Sequence, residues 1–147
     1  MRATITLFGP VAIALTSPST AAPLDVHRTS EIPLEIMTFK EIAAARTAGT
    51  GCAWLGGRGV TRRVAMKEDR GVMKRDRMIV TLHPVAGAEE VFPYTYLHWA
   101  GGGMDVSIVN SGKEVGRGPE HVETRATLTL TENGRSRSWP GRLNCGS

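Results

Sequence analysis

From residue 51 to the C-terminus, apolar positions recur every second residue in short runs broken by turn-forming residues. Val60, Val64 and Met66 alternate with Thr61, Arg63, Ala65 and Lys67, while Arg62 intrudes on the apolar side. Val72 to Lys74 and Met78-Val80-Leu82 flank Arg75-Asp76, which predicts a tight turn there. Val91 to Trp99 is aromatic-rich, and Gly101-Gly102-Gly103 separates it from Met104-Val106-Ile108 as in a hairpin. The clearest strand is 122–131. Val122, Ala126, Leu128 and Leu130 face one way, and Glu123, Arg125, Thr127, Thr129 and Thr131 face the other. Asn133-Gly134 predicts a type I′ turn, after which Arg135 to Trp139 returns antiparallel. Pro140-Gly141 bends the chain and leaves Leu143 to Cys145 as a last short strand. Seven or eight short strands at this spacing predict a mainly β fold, a small antiparallel barrel or sandwich. Trp54, Trp99 and Trp139 are its expected core or rim anchors, since few other large aromatics are present.

Before residue 51 the period changes. Thr38 and Glu41 form a capping box, and Met37 and Ile42 are placed as a hydrophobic staple. A short helix is expected over Phe39 to Thr47, with Gly49 at its C-terminal cap and Phe39, Ile42 and Ala43 on its buried face. Residues 22–36 contain Pro23 and Pro33 and no clear period, and read as an extended or flexible arm. The single β-rich domain is therefore expected to occupy 37–147.

Residues 1–21 follow a third pattern. Arg2 precedes an uncharged, largely apolar run from Ala3 to Leu15, too short for the roughly 20 residues of a bilayer-spanning helix. It fits the apolar segment of a secretory signal, and Ser19 and Ala21 supply the small residues expected before a cleavage site. Gly9-Pro10 argues against the alternative, an N-terminal core helix. Cleavage after Ala21 and a periplasmic or secreted destination are expected, with no membrane-spanning segment in the mature chain.

Export changes the meaning of the two cysteines. In an oxidising compartment Cys52 and Cys145 have one intramolecular pairing open to them, which would tie the first strand to the last. Free buried thiols or a redox pair are the other readings, the latter without the usual Cys-x-x-Cys spacing. Removal of residues 1–21 from the 147 leaves 126 residues, and the loss of Arg2 reduces the net charge from +4 to +3. So mild a balance gives only a weak general attraction to anions.

Locally the charge is stronger. Residues 58–77 carry eight basic side chains, Arg58, Arg62, Arg63, Lys67, Arg70, Lys74, Arg75 and Arg77, against Glu68, Asp69 and Asp76. Adjacent hairpins could gather these into a patch for phosphate, lipid head groups or an acidic protein; the alternative is a solvated face that blocks sheet-to-sheet aggregation. Tyr94, Tyr96 and His98 fall at strand spacing with Phe92, as an aromatic face for sugars or a protein, or as the cover of a buried strand. His27, His83, His98 and His121 lie apart with no zinc spacing, so no metal or other cofactor is expected. Gly-x-Ser-x-Gly is absent, and Ser107 and Ser111 have no identifiable base. Nothing resembles a nucleic-acid-binding motif.

A small exported β-barrel pinned by a disulfide between its end strands is similar to bacterial periplasmic lysozyme inhibitors. The resemblance lies in architecture, with Ser111-Gly112-Lys113 matching a Ser/Lys-bearing inhibitory loop over three residues. It implies insertion of loop side chains into a hydrolase cleft, although the basic balance suits a basic lysozyme poorly. Three expectations follow. The leading one is a non-enzymatic binding module of the cell envelope, with an envelope protein or an anionic envelope component as partner. The others are an inhibitor of an exported hydrolase, and a small hydrolase centred on His98 and a carboxylate.

Overall fold

A computed structural model describes residues 32–57 and 61–147. The expected signal segment and most of the arm lie outside these residues. The chain order is α1 (Phe39–Ala44), β1 (Gly51–Gly56), β2 (Arg62–Lys67), β3 (Arg70–Arg75), β4 (Met78–Pro84), β5 (Glu90–Val91), β6 (Thr95–Tyr96), β7 (His98–Gly101), β8 (Met104–Arg117), β9 (His121–Glu132) and β10 (Arg135–Gly146). Eight of these strands close into an antiparallel barrel in the order β1-β10-β9-β8-β7-β4-β3-β2, and β5 and β6 form a separate two-stranded sheet. The fold is thus a barrel rather than a sandwich. Its seam is the pairing of β1 with β10, where Cys52 lies directly opposite Cys145 and is joined to it by a disulfide.

Alternation fills the barrel. Trp54, Val64, Met66, Met73, Leu82, Trp99, Val106, Leu128 and Leu143 form its core. Glycines make room for two of the three tryptophan rings. A Cβ on Gly141 would stand 2.6 Å from the Trp54 ring, and one on Gly71 would stand 3.1 Å from the Trp99 ring. The interior is therefore a packed core.

Ala65 and Val72 point outward from β2 and β3 and are covered by Met37 and Ile42. These two are the staple residues, and the Thr38–Glu41 capping box forms as predicted. The helix itself departs from expectation. Phe39 and Ala43 are exposed, because the segment docks through the staple and Ile42 is the helix's only buried residue. It also ends at Ala44 rather than Thr47. Arg46 takes the left-handed conformation (φ 62°), its N–H bonds to Ala43 O, and the Thr47 N–H bonds to Ile42 O. That pair of bonds is a Schellman motif, and it closes the helix before Gly49 is reached.

Just upstream, Leu34 is wholly buried in the barrel core. β2 and β3 stop pairing at Val64 and Met73, and the extended segment enters the opening, Glu35 N–H bonding to Lys74 O and Met37 N–H to Arg62 O.

Three strand details also differ. The β3–β4 turn is Asp76-Arg77, both at positive φ, one residue later than predicted. Residues 91–99 are not one strand: the chain turns through a cis Phe92–Pro93 bond and Tyr94 at φ 57°, so Phe92, Tyr94, Tyr96 and His98 do not share a face. β10 continues through Pro140 to Gly146 instead of bending into a separate strand. β1 ends opposite Gly141, so Pro140 lies where β10 is paired with β9 alone, the kind of position that tolerates a missing N–H.

Candidate functional site

A filled interior leaves recognition to the outer surface and the barrel ends. Arg58 lies outside the described residues, and several described members of the basic cluster make separate contacts. Arg63 donates from Nε to Gly56 O and from its guanidinium to Leu34 O, fastening the upstream segment to β1. Lys74 Nζ lies 2.7 Å from Glu41 Oε1 and 4.0 Å from Glu35 Oε2. That ammonium, with the Thr38 backbone N–H, holds the Glu41 carboxyl down at about 2, and Glu41 in turn raises Lys74. Arg75 pairs with Glu132 at 2.9 Å and lies against Met104 Sδ. The Arg77 backbone N–H bonds to Glu35 Oε1, and Lys67 lies 3.8 Å from Glu68. Arg62 is exposed on β2. Arg63, Lys74 and Arg75 thus hold separate parts of the fold together.

The aromatic group divides as well. Phe92 and Tyr94 are 82% and 68% exposed, with ring centroids 6.1 Å apart in edge contact. Phe92 lies beside the β8–β9 turn and the C-terminal residues. The mount of both rings is firm. Thr95 is buried with its hydroxyl toward Glu68 O, and Tyr96 packs edge-on against Trp99, whose Nε1 donates to Tyr96 O. His98 sits on the outer wall with Nε2 2.8 Å from Asp105 Oδ2, both side chains 44% exposed. Ser107 lies opposite His98 in the β7–β8 register, a neighbour that spacing alone did not reveal.

β8 carries a bulge. Between Asn110, opposite Ala126, and Glu114, opposite Thr124, residues 111–113 face Arg125 alone. Ser111 Oγ donates to Arg125 O and accepts from the Lys113 N–H, Gly112 turns at φ 70°, and its N–H bonds to Asn110 Oδ1. Lys113 is therefore presented outward, with Val109 and Val115 exposed on either side. Farther along β8, Glu114 is bound by Arg117 through two hydrogen bonds, which lower its pKa.

Two features were missed in the sequence. Glu123, 9% exposed, accepts from Arg142 at 2.8 Å and from Asn144 at 3.1 Å on the outer wall. Antiparallel register brings these together, and strand alternation alone cannot reveal it. At the end of the barrel marked by Gly56, Arg135 and Arg137 line a cavity of ≈ 450 Å³ with Trp139. Here a signal was present, because Arg135 and Arg137 are in phase with the core residue Trp139.

Among the described residues, no group of three or more His, Cys, Asp or Glu side chains could hold a metal ion. No helix among them is long and apolar enough to cross a membrane, and with the disulfide this is compatible with a periplasmic or extracellular protein. In comparisons with known proteins, the chain matches no family model, no curated protein and no solved structure.

Proposed function

We propose that the chain is an exported, non-enzymatic binding module of the bacterial cell envelope that engages a protein partner through the outside of its barrel. The observation that carries this reading is the exposed Phe92–Tyr94 pair on its buried mount. Exposed rings held in place contribute large apolar area to an interface at little entropic cost, and contiguous exposed apolar surface is where interaction sites are found. The reading includes a signal removed after Ala21, so the exported protein should begin at Ala22. It also includes Tyr96 as support for Tyr94, with Lys67 beside the β2–β3 turn that Thr95 contacts; Arg62 and Arg77 lie at the other end of the barrel.

The test is capture of envelope proteins by the immobilised mature chain, followed by the same capture with Phe92→Ser/Tyr94→Ser. One defined protein should be retained by the first and lost with the second. Equal capture by both would remove the aromatic pair from the argument. A mature chain still carrying Met1 would overturn export through a cleaved signal.

The bulge favours a narrower reading, an inhibitor of an exported hydrolase. Lys113, held forward between Val109 and Val115, suits a cleft lined by carboxylates. Titration into a purified exported glycan hydrolase should lower its activity, and Lys113→Ala should relieve the effect at least tenfold. Unchanged hydrolase activity at saturating protein would leave the broader reading alone.

A further inference from the structure

Among the described residues, the end of the barrel near Gly56 is built differently from the rest of the surface. β9 and β10 pair from Ala126 and Gly141 out to Glu132 and Arg135, whereas β1 stops opposite Gly141. Among the described residues, residues 135–140 of β10 therefore have no β1 partner on that edge. On this segment Ser136 and Ser138 lie outside, their hydroxyls 2.8 Å from those of Thr131 and Thr129. Arg135 and Arg137 occupy the opposite face, in the same row as the buried Trp139 and Leu143. Strand alternation thus turns two arginines toward the barrel opening.

What they line is a recess of ≈ 450 Å³ with Leu130 and Trp139 at its base. Arg75 and Glu132 are also on its wall, paired with each other at 2.9 Å, with Glu132 opposite Arg135 in the strand register. Arg135 and Arg137 have no carboxylate partner among the described residues. Two like charges on one side of a strand stand about 7 Å apart at the backbone and repel each other, more strongly over an apolar base than in open water. Guanidinium groups in this arrangement are suited to bidentate hydrogen bonds with carboxylate or phosphate oxygens. A charge that only guards a strand edge needs no recess.

We infer that this barrel opening is a binding site for a small ligand bearing two anionic groups, phosphate or carboxylate, held by Arg135 and Arg137 above Trp139. The site is distinct from the Phe92–Tyr94 surface and does not rest on it. Asn133, in the β9–β10 turn, adds an amide at the rim.

The test is calorimetric titration of the mature protein with inorganic pyrophosphate and, separately, with glutarate, with tryptophan fluorescence recorded in parallel. Saturable binding of one probe or both is expected. Pyrophosphate alone would identify a phosphate ligand, glutarate alone a carboxylate ligand, and both the shared chemistry of two anionic groups. Arg135→Ala/Arg137→Ala should weaken binding at least tenfold, and the milder Arg137→Gln several-fold. Ser136→Ala/Ser138→Ala, on the other face of the same hairpin, should leave it unchanged. The site is refuted if neither probe binds, if Arg137→Gln and the double alanine variant both bind as tightly as the parent, or if Arg62→Glu/Lys67→Glu on the outer wall weakens binding as much as the double alanine change.

Discussion

Residues 62–77 and the β9–β10 hairpin both carry arginines on antiparallel strands, yet the two sets of side chains have different fates. In the first region the charge is dense in sequence, and much of it is neutralised or tied to backbone in space. Lys74 meets Glu41, Arg75 meets Glu132, and Arg63 reaches two carbonyl oxygens. In the second, Arg135 and Arg137 are a sparse pair that no carboxylate among the described residues matches, facing a recess. Local charge density is thus a poor guide to a binding surface. The face of the strand and the partner across the register decide whether a cation is structural or available.

The largest expected effect lies at the seam that joins the two regions. Cys52→Ala/Cys145→Ala opens a loop closed over 93 positions and should cost about 4 kcal/mol in urea unfolding, by the chain-entropy description. A loss below about 1 kcal/mol would mean that strand pairing alone holds β1 to β10. Next comes the structural side of the comparison. Arg63→Met should lower stability by about 2 kcal/mol through its lost hydrogen bonds, while dianion binding at the opening stays as in the parent. Parent-like stability for this variant would return Arg63 to the list of available cations.

The Glu41–Lys74 pair adds a pH dependence. The folded Glu41 carboxyl titrates at about 2, below its ordinary 4.5. Its contribution is therefore fully present above about pH 4.5 and is lost as the pH falls toward 2. Glu41→Gln should melt below the parent at pH 7, with the gap closing between pH 4.5 and pH 2. A gap that persisted unchanged to pH 2 would assign the loss to something other than this charge. The smallest stability effect belongs to Arg135→Ala/Arg137→Ala, within about 0.5 kcal/mol of the parent, because neither side chain holds the fold together. Together with weakened dianion binding, that result would complete the contrast with Arg63.

Several elements were legible because they are local. The capping box depends on residues three apart, and the Asn133-Gly134 turn needs only two residues that accept positive φ. Alternation over 126–130 correctly placed Ala126, Leu128 and Leu130 in the core. The same rule failed at 91–99, where Tyr94 leaves extended geometry and the parity of the positions after it no longer follows from those before. The helix face was misjudged for a different reason. A six-residue helix has little face of its own, and Met37, ahead of it, shares the docking with Ile42. At Arg135 and Arg137 the signal was in the sequence, as their phase with Trp139, but only the early end of β1 shows that this phase leads to an opening.

The sequence by itself determined that the chain folds as alternating strands with one capped helical turn, and that two cysteines bracket those strands. These are properties of period, backbone preference and composition, and they act over a few residues. Tertiary structure alone decided that the sheet closes into a barrel, that Leu34 enters its core, and which cations are neutralised. Those outcomes depend on pairs such as Lys74 with Glu41, 33 positions apart, and Arg63 with Leu34, 29 apart. Whether such groups meet is fixed by strand register, a property of two segments at once that neither segment encodes alone.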